Sequence, residues 1–142
     1  MFEAIEVLSA GLSAARMRTN VAASNIANAE TTRTPEGGPY KRRDVVQVAR
    51  SMQGTFSNVL DRMSLARPSV VAVVEDQADP KQVYQPGHPD ANKEGYVSYP
   101  NVNVVTTMTD LMSASRLYQA NVTAIETARR MSSEASSILS RA

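Results

Sequence analysis

The chain has 142 residues, and its 15 Lys plus Arg against 14 Asp plus Glu leave a net charge of +1, so no field of one sign draws it onto nucleic acid or anionic lipid. Cysteine is absent, which excludes disulfides, thiolate metal ligands and thiol nucleophiles, and the single histidine, His88, excludes paired-histidine metal motifs. With no Trp, two Phe and five Tyr, and with Ala, Ser and Thr crowding both ends, the composition favours close helix contacts over a bulky core.

In chain order, Glu3 and Glu6 stand where a secretory leader would carry a basic segment and an apolar core, so no cleaved leader is expected. From there the apolar or small residues Ile5, Leu8, Leu12, Ala15, Thr19, Ala22, Ile26 and Ala29 step alternately by three and four, a heptad seam. Only Gly11 interrupts it, and a helix is predicted over roughly 3–29. Its two early glutamates suit the positive end of the helix dipole.

Between residues 35 and 95 lie most of the prolines and glycines, punctuating short extended segments. Strands are predicted at Tyr40–Ala49, Ser69–Glu75, Gln82–Gln85 and Tyr96–Tyr99, each bearing Val or Tyr. Residues 50–66, with Gly54, Phe56 and Leu60, read as a long loop or irregular hairpin. The longest apolar run, Val70 to Val74, is far short of the roughly 20 residues of a membrane-spanning helix.

A second helix is predicted from about 105 to 140, with a seam of Met108, Leu111, Ser115, Tyr118, Val122 and Ile125 that drifts on through Ala128, Met131, Ala135 and Ile138. Thr106 or Thr107 is the expected cap, and Glu126 has the spacing to pair with Arg129 or Arg130. The expected organisation is α+β: an N-terminal helix in 1–32, a β-rich middle in 33–103, and a C-terminal helix in 104–142 that pairs with the first as a coiled-coil-like bundle.

A helix of some 36 residues is about 54 Å long, whereas a compact domain of this length has a radius of gyration of about 14 Å. Ile5, Leu8, Leu12 and Ile26 contribute roughly 1.5–3 kcal/mol each if wholly buried, against about 1–2 kcal/mol of backbone entropy for every residue ordered. The helices are therefore marginal alone, and seams at both ends suit contacts that close between subunits. The expected packing residues are Ile5, Leu8, Leu12, Ala15, Ala22, Ile26, Leu111, Tyr118, Val122 and Ile125. Periodicity equally allows an intramolecular helix hairpin with a β insert.

The end of the first helix is dense in asparagine: Asn20-Val21-Ala22-Ala23-Ser24-Asn25-Ile26-Ala27-Asn28-Ala29, followed by Thr31 and Thr32. Asparagine disfavours helix interiors, so Asn20, Asn25 and Asn28 suggest either amides that fasten the helix end or bridge an interface, or a solvated, fraying end. This stretch resembles the Asn-rich signature of the axial proteins of the bacterial flagellum, its rod, hook and hook-associated subunits. Within that family the chain is similar to the proximal-rod subunits. The further segments that agree in order are Gly38-Pro39-Tyr40-Lys41-Arg42, Val83-Tyr84-Gln85-Pro86-Gly87-His88-Pro89, Gly95-Tyr96-Val97, Pro100-Asn101-Val102-Asn103, and Met112-Ser113-Ala114-Ser115-Arg116-Leu117-Tyr118-Gln119-Ala120-Asn121. Arg33-Thr34-Pro35-Glu36 and residues 50–66 depart from the family pattern.

The resemblance implies a non-catalytic subunit of the basal-body rod, the drive shaft that transmits torque around an export channel. It implies paired terminal helices lining the inner tube, with the β-rich middle outside. It also implies export through the flagellar type III apparatus and assembly in the periplasm. The partners it implies are copies of the chain, other rod proteins, and components of the membrane ring and export gate. No cofactor, metal, nucleic acid or small-molecule substrate is expected.

Rival functions find little in the residues. Gly11-Leu12-Ser13-Ala14-Ala15 lacks the second glycine of a nucleophile elbow. Glu75, Asp76 and Asp79 read as a solvated strand end and turn before a cation site. Lys41-Arg42-Arg43 beside Tyr40 is too short a basic run for nucleic acid. A soluble helical adaptor or scaffold with a β-rich insert is the remaining alternative.

Overall fold

The computed structural model describes residues 2–51 and 66–139. Its elements are helix α1 (Phe2–Ala27), strands β1 (Arg43–Ser51), β2 (Ala66–Glu75), β3 (Lys81–Tyr84) and β4 (Tyr96–Tyr99), and helix α2 (Val104–Leu139). Phe56, Leu60 and the rest of 52–65 in the expected 50–66 loop lie outside the described residues, whereas Arg50, Ser51 and Ala66 belong to β1 and β2.

Several hydroxyls of both helices bond within their own helix. Ser13 and Thr19 in α1, and Thr109, Thr123 and Thr127 in α2, each donate to the carbonyl four residues earlier. The helices pack against each other antiparallel: Gly11 faces Asn121, and Ala22 and Asn25 line one groove with Thr107 and Asp110. In this register Phe2 stands level with about residue 130, so the last turns of α2 run past the start of α1.

The interface is built from small residues. Ala14, Ala15 and Ala22 of α1 and Thr107 and Ala114 of α2 are buried. The inner line of α2 therefore differs from the predicted seam, because Met108 is 49% exposed and Ser115 only half-buried. Close approach of the two backbones admits Thr107 and Ala114 to the centre and leaves the bulkier Met108 on the flank. The cap also differs from expectation. Asn103 Oδ1 accepts from the Thr106 amide at 3.2 Å, while the Thr107 hydroxyl returns to the Asn103 carbonyl, so the residue just before the helix caps it. Glu126 forms no ion pair with Arg129 or Arg130.

The β-rich middle is two separate antiparallel hairpins, β1–β2 and β3–β4. The first lies along α1, tied by Arg43 to Asn25 at one end and by an Arg67–Glu6 ion pair at the other. Glu6 and Asn25 are about 28 Å apart along the helix, close to the reach of a nine-residue strand. The register steps from Val46↔Ala72 to Gln47↔Val70, a bulge that leaves Val71 unpaired. Pro68 sits within β2 opposite Ala49, which a two-stranded sheet with open outer edges tolerates.

In the second hairpin Gly95 holds a φ of +83°, and a Cβ there would stand 2.8 Å from Tyr84 Cε2. The ring of Tyr84 covers this glycine and meets Tyr96 edge-on. Outside the helix pair, Val97, Val102 and Tyr40 are buried hydrophobic side chains. Val97 is the largest side chain to be fully buried among the described residues, so the core is thin.

Candidate assembly interface

Where α1 ends, Asn25 lies 3% exposed, and all of its polar bonding is directed at the start of β1. Its Nδ2 donates to the Arg43 carbonyl at 2.8 Å, and its Oδ1 accepts from the Arg43 amide at 2.9 Å and from the Tyr40 hydroxyl at 3.0 Å. The side-chain amide thus replaces a missing strand partner for Arg43, and it does so with both its donor and its acceptor. Asn28 closes the helix itself: Nδ2 donates to the Ser24 carbonyl, and Oδ1 accepts from the Thr31 hydroxyl. Asn20 is exposed. Two of the three signature amides therefore fasten the helix end, and the fraying reading does not hold for them.

The chain leaving α1 is held as firmly. The Tyr40 amide donates to the Thr31 carbonyl, and Thr34 bonds through its amide and hydroxyl to Gly38, closing the segment 34–38 on itself. Gly37 and Gly38 take positive φ there, the conformation that makes this divergent loop compact. Thr32 donates to Asp90 at 2.8 Å, and Arg33 approaches the same carboxylate, which joins this loop to the one between β3 and β4.

The basic run is absorbed into the structure. Arg42 pairs with Asp44, Arg43 pairs with Glu75, and the Arg43 guanidinium stands 5.8 Å from the centre of the buried Tyr40 ring. Asp76 accepts from the Ala78 amide in a turn, so the acidic cluster is a strand end and turn. Among the described residues no group of three or more His, Cys, Asp or Glu is placed to hold a metal ion.

The expected packing residues fall into two sets. Ala15 and Ala22 are buried between the helices. Ile5, Leu8, Leu12, Ile26, Leu111, Val122 and Ile125 are only half-buried, and Tyr118 is 37% exposed on the flank. Further apolar side chains stand open on α2: Val105, Met108 and Met112 at three- and four-residue spacing near its start, then Leu117, and Met131 at 61% beyond the start of α1. Val46, Val48, Val71, Val73 and Val74 stay similarly open on the β1–β2 hairpin. A groove of about 370 Å³ opens between α1, β1 and α2, with Arg18, Arg42, Arg43, Asp44 and Asp110 in its lining. The arrangement offers extended apolar stripes and a groove of mixed charge, which is the chemistry of an interface between proteins.

Sequence reasoning did not find the Asn25–Tyr40–Arg43 clip, the Asn103 cap, or Ala14, Thr107 and Ala114 at the helix contact. The position of Asn103 directly before the helical pattern was the readable signal for the cap. No local pattern announces a bond between residues 25 and 43.

Comparison with known proteins agrees with this anatomy. Residues 5–33 match the family model described as "Flagella basal body rod protein", and residues 93–138 match "Flagellar basal body rod FlgEFG protein C-terminal". The chain is 40% identical over 148 aligned positions to the flagellar basal-body rod protein FlgC of Borreliella burgdorferi, covering 98% of this chain and 97% of that one. It is 41% identical to the FlgC of Escherichia coli O6:H1 over 89% of this chain and 88% of that one. It is 38% identical to the FlgC of Bacillus subtilis over 92% of each.

Proposed function

We propose, because this chain belongs to the FlgC family of flagellar basal-body rod proteins, that it is a structural subunit of the flagellar rod and works by packing, not by catalysis. The observation that carries the mechanism is the thin core. Among the described residues no side chain larger than Val97 is fully buried, while Ile5, Leu8, Leu12, Ile26, Leu111, Val122 and Ile125 are half covered in the single chain. Completing that burial is free energy still available to assembly. Tyr118 and the overhanging Met131 add apolar surface that the chain's own described residues leave open.

In this reading the terminal helices stack side by side with those of neighbouring copies and of other rod proteins, in a coiled-coil-like tube around the export channel. Asn25 and Asn28 hold the end of α1 at a fixed angle to the β-rich middle, so that torque passes from the helices to the outer surface without a loose joint. Asn20, exposed on α1, would bond across to a neighbour. Passage through the type III export apparatus, assembly in the periplasm, and contact with the membrane ring and export gate complete the proposal.

The test is complementation in a flagellated bacterium lacking its own FlgC. The wild-type chain should restore swimming and complete rods, and Leu12→Asp or Ile26→Asp should restore neither. A purified chain that is folded and monomeric, and whose two variants still swim, would instead fit a helical adaptor.

A further inference from the structure

Gly11 is the one glycine within either helix, and no turn, cap or positive φ requires it there. Across the interface stands Asn121: a Cβ on residue 11 would lie 3.1 Å from Asn121 Nδ2 and 3.6 Å from its Cγ and Oδ1. That Nδ2 is shielded from solvent and has no hydrogen-bond acceptor. Each residue is unfavourable alone, the first for helix propensity and the second because its shielded Nδ2 goes unpaired. Unlike Asn25, Asn28 and Asn103, Asn121 fastens nothing.

The alanines of the contact carry little information about how the helices slide. Ala14, Ala15, Ala22 and Ala114 present similar small surfaces, and a slip of one turn exchanges one such contact for another. We propose that Gly11 and Asn121 form a register key for the helix pair, specifying its alignment at a cost in stability, as a single polar residue at a seam position does in a two-stranded coiled coil. A slip of one turn either way brings Asn121 against Val7 and Leu8 or against Ala14 and Ala15, all of which carry the Cβ for which only Gly11 leaves space. Such a slip would also displace the Met131 overhang by about 5.4 Å relative to α1. The key acts within one chain and stands whether or not the rod reading does.

The test uses nitroxide labels on the full-length chain, which has no native cysteine, at Ser9→Cys and Thr109→Cys, two exposed sites far apart along the helix axes. The wild-type background should give one narrow distance. Asn121→Ala should add a second population displaced by roughly a helical turn, with the melting temperature unchanged or raised. Gly11→Ala should lower the melting temperature despite its better helix propensity, and the Gly11→Ala, Asn121→Ala double variant should recover it. A wild-type chain with several distances, an Asn121→Ala chain with the single wild-type distance, or additive effects of the two substitutions would each overturn the proposal.

Discussion

At the end of the helix pair where α1 stops and α2 starts, Asn25, Asn28, Asn103 and Tyr40 spend their polar groups on one another and on nearby backbone, and the chain closes on itself. At the opposite end, where α1 starts and α2 runs past it, Ile5 and Leu8 are half-buried and residues 129–137 are all exposed. The first end is held by directional bonds satisfied within the chain, with Val105, Met108 and Met112 open on its flank, whereas at the second Ile5, Leu8 and Met131 are only partly covered and lack such a cluster of bonds. Directional bonds set geometry and apolar area supplies association; the first end carries both, and the second leaves its position to apolar contact.

The sharpest way to break this contrast is a charge in the open seam. Leu12→Asp should cost about 3–5 kcal/mol for each subunit contact that buries it unpaired, abolishing swimming and complete rods as seen by electron microscopy of basal bodies. Asn25→Ala strikes the closed end: it leaves the part-buried Arg43 amide and carbonyl and the Tyr40 hydroxyl without this partner, and should lower chain stability by about 1–3 kcal/mol in urea unfolding. Asn20→Ala should stay within about 0.5 kcal/mol in the same assay.

Gly95→Ala forces a Cβ against Tyr84 at positive φ and should cost about 1–3 kcal/mol, again in the folded single chain. Asn103→Ala removes the α2 cap for about 1 kcal/mol. The smallest effect on the chain sharpens the contrast most. Met131→Ser should leave urea unfolding within about 0.5 kcal/mol, yet reduce the number of complete rods per cell.

Periodic features were legible in the residues. The predicted helices at 3–29 and 105–140 correspond to Phe2–Ala27 and Val104–Leu139, and β4 was placed at its observed ends, because a 3.6-residue stripe and turn-bounded Val and Tyr runs are local signals. Features made by distant contacts were not. The predicted β1 began at Tyr40, but the Tyr40 amide bonds to Thr31 and its hydroxyl turns to Asn25, so the ladder starts at Arg43. The heptad on α2 was read from its largest residues, whereas close backbones placed Thr107 and Ala114 inside and Met108 outside. Thus the seam on α1 was legible at Ala15 and Ala22 but not at Ala14, and the one on α2 only in outline.

Hydrogen exchange along both helices, measured on the isolated full-length chain and again on purified basal bodies, tests the central claim most directly. In the isolated chain, amides around Asn25, Arg43 and Thr107 should be well protected, while those at the start of α1 and beyond residue 130 of α2 exchange nearly freely and become protected only in basal bodies. Uniformly strong protection along both helices of the solitary chain would mean that the stripes are already covered, and would contradict the account.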